Sequence, residues 1–217
     1  MTAIANTNTP PQASSHDRIL MAGKRLFARN GYENTSTVAI AREAGTSESQ
    51  LMKHFGSKQG LLSAIFDRGW ESITERVQAA QDETSPSMRL AAVLGAVAVE
   101  LESDTDLKDL MMLESRRVRK DGCDVLVSRG LQDFTAVVDG ILDDMRAKGE
   151  LGPQLNLQAL RSALVGMVEG LLRDQVVARR SEFAANYTLE DVKRVLNQLV
   201  PAFKGSHAGA PLKAVNS

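Results

Sequence analysis

The chain has 217 residues, 43% hydrophobic and 24% charged, with a formal net charge of −1. That is an ordinary globular composition, with room for one large or two small domains. No stretch approaches the roughly 18 consecutive apolar residues that a membrane span needs, so a membrane protein is not expected. The opening MTAIANTNTPPQASS lacks the basic and apolar regions of a secretion signal, and the lone Cys123 allows no disulfide within the chain. Both lead to a bacterial-type cytosol as the expected compartment, with Cys123 a buried, inert thiol.

Charge is unevenly spread. Residues 16–60 hold seven Lys or Arg against four acids, net +3, so residues 61–217 are net −4. A basic head on an acidic body permits a polyanion partner for the head.

Apolar residues recur at spacings of three and four, and the period-two runs of strands are missing, so an all-α fold of about nine helices is expected. Residues 1–15 read as a disordered arm. Ser14 and Asp17 form a capping box ahead of Ile19, Ala22, Leu26 and Phe27, and that helix ends at Gly31. Ser36 or Thr37 caps a short helix to Ala44, and Ser47 with Gln50 boxes another of about two turns. Ser57 precedes a long helix with Leu62, Ile65, Phe66, Ile73 and Val77 on one face. Ser85-Pro86, an N-cap followed by proline at the first helical position, opens a helix to about residue 102. A short segment near 105–119 follows, then a long helix from Asp121 to Lys148, which GELGP at 149–153 breaks. Asn156 caps a helix to about Arg180. Thr188 with Asp191 boxes the last, and residues 204–217 read as a disordered tail. The expected domains are a head at 16–60 and a body at 61–203.

The sharpest local pattern lies at residues 37–55. Ile40 and Ala44 face inward on the first short helix, Ala41 leaves room for a close crossing, and Gly45 can take the positive φ that ends a helix abruptly. Leu51 and Phe55 anchor the second helix, whose other face is left to Glu48, Ser49, Met52 and Lys53. Two such helices across a three- to four-residue turn make a helix-turn-helix, whose second helix fits the DNA major groove. An ordinary helical hairpin in a core would look much the same, and the position of the pattern favours the first reading. It sits behind one helix and directly before a long one.

The stretch RILMAGKRLFARNGYENTSTVAIAREAGTSESQLMKHFGSKQGLLSAIF, residues 18–66, resembles the DNA-binding domain of the TetR (tetracycline repressor-like) transcriptional regulators. The resemblance rests on LFARNGYENTS, IAREAG, Leu51 with Phe55, and SKQGLL, and covers roughly a quarter of the chain. It implies base readout by Val38, Glu48, Ser49, Gln50, Met52 and Lys53, with Ser47 on the same surface, and phosphate contacts by Thr37, His54 and Lys58. Thr46 stands where the family usually has Val, and Met52 where it usually has Tyr. The family's mechanism further implies a homodimer on a palindromic double-stranded DNA operator, most simply a repressor released by a small molecule in the body.

Elsewhere the reading is plainer. Phe66, Trp70, Met111, Met112, Phe134, Met145 and Met167 are candidates to line a pocket for a largely apolar effector, with plain core packing as the alternative. Two glycines on the stripe Ala159, Ala163, Gly166, Gly170 weaken a helix unless something approaches closely. Because the stripe resembles the family's penultimate dimerisation helix, it is expected to pair with a second copy, together with Val192, Val195 and Leu199; packing within one subunit is the alternative. ESRRVRK, residues 114–120, reads as a solvated helix end, and Glu100, Glu102, Asp104 and Asp106 as a solvated acidic corner. The three histidines, His16, His54 and His207, are not spaced as metal ligands, and no phosphate-binding or nucleophile motif occurs. No metal, cofactor or catalytic residue is therefore expected. A helical enzyme and a protein-interaction module without DNA binding are the rival classes.

Overall fold

The computed structural model describes residues 13–79, 85–113 and 129–202. Residues 1–12 and 203–217, the cluster at 114–120 and Cys123 lie outside the described residues. Among the described residues there are nine helices and no strand. The chain divides into two compact units after Ile65.

The first unit holds α1 (Ser15–Asn30), α2 (Thr37–Glu43), α3 (Glu48–Phe55) and the start of α4 (Lys58–Ala79). The capping residues act as expected: Ser14, Ser36 and Ser47 each accept a hydrogen bond from the backbone N–H three residues on, at 3.1, 3.1 and 3.2 Å. At the other end of α2, Gly45 (φ +62) turns the chain out of the helix. Its N–H donates to the Arg42 carbonyl at 3.1 Å and Thr46 N–H to that of Ala41 at 3.0 Å, which satisfies the orphan carbonyls in a Schellman motif. The three short helices pack on one another around Ile19, Ala22, Phe27, Ile40 and Leu51, all essentially excluded from solvent.

The second unit is built around α5 (Pro86–Ser103), which is apolar on nearly its whole circumference and is packed by α6 (Thr105–Leu113), α7 (Arg129–Ala147), α8 (Leu157–Arg180) and α9 (Leu189–Ala202). Ser85 stands at the N-cap of α5, but its hydroxyl pairs with Ser87 at 3.1 Å and makes no capping bond. Proline at the first helical position carries that start instead. α7 ends in a second Schellman motif at Gly149, and Asn156 caps α8 through Ala159 N–H at 3.0 Å. Thr188 and Asp191 cap α9 reciprocally, at 2.9 and 3.3 Å.

One contact fixes where α7 can lie. A Cβ on Gly130 would stand 2.1 Å from Trp70 Cβ, and the indole itself packs on Phe134 with ring centroids 5.4 Å apart. Gly130→Ala should therefore destabilise the body by about 1–3 kcal/mol, as overpacking does, despite alanine's better helix propensity. Urea unfolding checks this; an unchanged or raised midpoint would mean that α7 and Trp70 are not in such close contact.

The acidic run is more than a solvated corner. Glu100, whose side chain is mostly buried, accepts hydrogen bonds from the Ser72 hydroxyl and from Arg76 Nε, the latter at 2.7 Å. The Ser72 hydroxyl, with Arg76 beside it, holds the Glu100 carboxyl below the usual carboxylate range. Asp104 caps α6 through Leu107 N–H at 3.0 Å, and Glu102 pairs with Lys108, whose side chain is only 1% exposed. Lys108 Nζ also donates to Gln175 Oε1 at 3.1 Å, Gln175 donates to the Tyr187 carbonyl, and the Tyr187 hydroxyl to that of Leu171 at 2.6 Å. This chain of bonds ties α5, α6 and α8 to the segment leading into α9.

Candidate nucleic-acid interface

In the first unit α2 and α3 pack together, and their inner faces are spent on Ile40, Ala41 and Leu51. What remains outward is Val38 (59% exposed) at the start of α2 and Glu48, Ser49, Gln50, Met52 (43%) and Lys53 along α3. An eight-residue helix with amide, hydroxyl, ammonium and thioether groups on one open face can present donors, acceptors and apolar contacts to base edges. The two exposed apolar side chains, Val38 and Met52, are of the kind that meets a thymine methyl group.

The residues expected to touch phosphate are engaged in more ways than the sequence suggests. The Thr37 hydroxyl donates to Glu48 Oε1 at 2.5 Å, a bond that joins the N-terminal ends of the two helices and anchors the Glu48 carboxylate. Ser47 is the cap of α3. His54 bonds the Ser15 hydroxyl at 2.9 Å, while the His16 ring stacks on Phe55 at 4.8 Å, so His54 helps join α3 to α1.

Lys58 is already engaged within the head. Its ammonium donates to the carbonyls of Tyr32, at 2.9 Å, and Thr35, at 3.0 Å, and lies 4.3 Å from the centre of the Tyr32 ring. Half-buried, it holds the α1–α2 connection to the first turn of α4 and keeps a third N–H for a phosphate. Lys58→Met should cost about 1–3 kcal/mol by leaving two carbonyls without that donor, and should lower the unfolding temperature of the free protein. A change confined to DNA affinity, with stability untouched, would mean that these two bonds do not hold the head together.

The site is firmly built. Arg18 Nε donates to the Ala44 carbonyl at 3.0 Å, closing α1 over the end of α2, and Arg25 pairs with Glu43 at 3.1 Å. Neither was singled out in the sequence, because an arginine that caps another helix has no local signature.

In the second unit the residues expected to line an effector pocket are mostly core. Phe66, Trp70, Met111, Phe134 and Met145 are 7% exposed or less, and Met112 and Met167 are half-buried. Two clefts of about 400 and 430 Å³ are lined by other residues: one runs between the end of α4, α5 and α9, and the other is a polar notch between α7 and the start of α8. For the paired-helix face, Ala159, Ala163 and Gly166 are exposed and Gly170 half-buried, on the side of α8 opposite its buried stripe Leu160, Leu164, Val168, Leu172 and Val176. Leu199 is 45% exposed and Val195 half-buried. Val192 is a correction. It is 1% exposed and lies with Leu196 and Val200 on the inner face of α9, out of reach of a partner.

Among the described residues no helix is long and apolar enough to cross a membrane, and no cluster of His, Cys, Asp or Glu is arranged to hold a metal.

Three helices presenting an open α3 face, followed along the chain by a helical body, are the arrangement that helix-turn-helix regulators use. Residues 19–65 match the family described as bacterial regulatory proteins, tetR family. Over 153 residues the chain is 23% identical to the fatty acid metabolism regulator protein of Bacillus subtilis, covering 70% of this chain and 78% of that one. The fatty acid degradation regulator FadR of Bacillus halodurans superposes with a TM-score of 0.77 at 18% identity, over 92% of this chain and 100% of that one. FadR of Bacillus subtilis in complex with stearoyl-CoA gives 0.73 at 19%, over 87% and 98%. The head of this chain thus matches the tetR family model, and the described residues share the fold of these regulators.

Proposed function

We propose that the protein is a homodimeric repressor in the bacterial cytoplasm, holding a palindromic operator with two α3 helices and released when a small, largely apolar molecule binds the body. It acts by binding and not by turnover. The observation that carries this reading is the α3 face: a short helix, capped at Ser47 and fixed from behind by Leu51, with its polar side chains free of the core. Gln50, Lys53, Ser49 and Glu48 are the proposed base readers, joined by the apolar Val38 and Met52. Thr37 and His54 lie at the edges of that face, where phosphates would run.

The small-residue face of α8 and the outer face of α9, Val195 and Leu199, are the proposed pairing surface. A Cβ on Gly166 would meet nothing within 4 Å, so a second helix could approach closely there. Binding on two half-sites requires the α3 helices to lie about one DNA turn, roughly 34 Å, apart. An effector that favours another spacing releases the operator, and a coupling of about 1–3 kcal/mol gives a 5- to 150-fold change in affinity. FadR binding stearoyl-CoA supports an apolar effector as the class.

The test compares Gln50→Ala and Lys53→Ala on operator and on random duplexes by fluorescence anisotropy across a salt series. Each should lose about 1–3 kcal/mol on the operator and much less on random DNA, over a steep salt dependence. Equal losses on both would remove the base-reader assignment, and a flat salt dependence would remove DNA binding itself.

A further inference from the structure

The cleft of about 400 Å³ between the end of α4, α5 and α9 has the makings of a small-molecule site. Although four helices pack on α5, the described residues leave one apolar strip of it uncovered: Met88, Ala92, Gly95 and Val99, spaced four, three and four, are half-buried or exposed. A Cβ on Gly95 would meet nothing within 4 Å, so the glycine keeps open a hollow that almost any other side chain would fill. Glycine is a weak helix former in a helix interior, and nothing packed against it among the described residues requires one at this position.

The rim is polar and of one sign. Arg76 from α4, Lys193 and Asn197 from α9 line the cleft, and no carboxylate does. Glu100 and Glu190 bond these two cations from outside the lining, each at 2.7 Å, occupying one N–H of Arg76 and one of Lys193. A guanidinium has five N–H donors and an ammonium three, which leaves both able to serve an anion.

We infer that this cleft is the effector site, and that it takes an apolar molecule of roughly a dozen non-hydrogen atoms carrying one carboxylate or similar anionic head. The size follows from the cleft volume at about 30 Å³ per water-sized group. The inference rests on the ligand-release reading above and names the site and chemical class. It also gives that reading a route: Arg76 and Ala79 are on the last turn of α4, the helix that begins three residues after the end of α3 and belongs to both units. A ligand wedged between α5, α9 and this last turn acts on the element that carries the head.

Sodium decanoate, below its micelle concentration, is the probe, with decyltrimethylammonium as the cationic control of equal chain length. Calorimetric titration of the full chain should show saturable decanoate binding at one per chain and none of the cation. Gly95→Phe, which fills the hollow, should abolish it; Val99→Trp serves the same purpose should the first variant fail to fold. Lys193→Gln, which removes one rim charge from an exposed pair, should weaken binding by up to about fivefold. Both cleft-filling variants should still bind duplex DNA with the wild-type salt dependence, since the head is untouched. Undiminished decanoate binding in the filled variants, equal binding of the cationic control, or no saturable binding at all would each overturn the inference. Absence of DNA binding by the wild type would instead overturn the regulator reading, whatever decanoate does.

Discussion

Leu51→Ala should lower the stability of the head by about 2–5 kcal/mol and abolish operator binding. Leu51 is the buried apolar anchor of α3 and is fully excluded from solvent. Truncation loses the transfer free energy of the removed groups and leaves a cavity beneath a helix of only eight residues. Such a helix does not stand alone in water, where isolated helices under about 12–15 residues are marginal. A loss of this size is a large part of the roughly 5–15 kcal/mol that holds a typical domain together. Hydrogen exchange at the α2 and α3 amides should accelerate, while amides of α5 and α8 stay protected, because the body is a separate compact unit. Retained operator binding, or equal loss of protection throughout the chain, would contradict the picture of α3 as a helix held chiefly by its buried side.

The second large effect concerns Lys108, and its size depends on which partner is removed. Glu102→Ala leaves an ammonium that is 1% exposed with Gln175 Oε1 as its remaining acceptor. An uncompensated buried charge costs about 3–5 kcal/mol; because Glu102 is itself 41% exposed, the lower end is expected. Lys108→Met removes the charge and its desolvation together, fills a similar volume and lets Glu102 rehydrate. Only the Gln175 oxygen loses a donor, at about 1–3 kcal/mol, partly offset by the desolvation no longer incurred. Urea midpoints should therefore fall clearly further for Glu102→Ala than for Lys108→Met. The reverse order would mean that Lys108 is solvated and that the bond network through Gln175 and Tyr187 is not a buried one.

The parts of the fold legible in the sequence are those set by local chemistry. Ser14, Ser36, Ser47, Asn156 and the Thr188–Asp191 pair announce helix starts because a short side-chain oxygen satisfies an N–H three residues away. Gly45 announces a helix end because it needs a positive φ. The outward character of Gln50 and Lys53 follows from Leu51 pointing in.

What escaped was long-range. The structural role of Lys58 has no sequence signature, because its acceptors are backbone carbonyls 23 and 26 residues earlier, groups every residue has and no pattern marks. The acidic run concealed a buried lysine, since Lys108 reads like any other surface charge until α8 brings Gln175 to it. Side-chain type does not separate cavity lining from core, so Trp70 and Phe134 looked like pocket walls and are found packed on each other. α9 carries two apolar stripes, Val192–Leu196–Val200 and Val195–Leu199, and periodicity alone cannot say which one faces α5.

The central claim is that the α3 face reads a specific DNA sequence as one half of a symmetric pair. The measurement that meets it most directly is selection of bound sequences from random duplex DNA by the purified protein without added ligand, with Leu51→Ala run in parallel. Enrichment of a palindrome with half-site centres about one helical turn apart, lost in the variant, is the predicted result. A folded wild-type protein that enriches no sequence, or enriches the same sequences as Leu51→Ala, would contradict it.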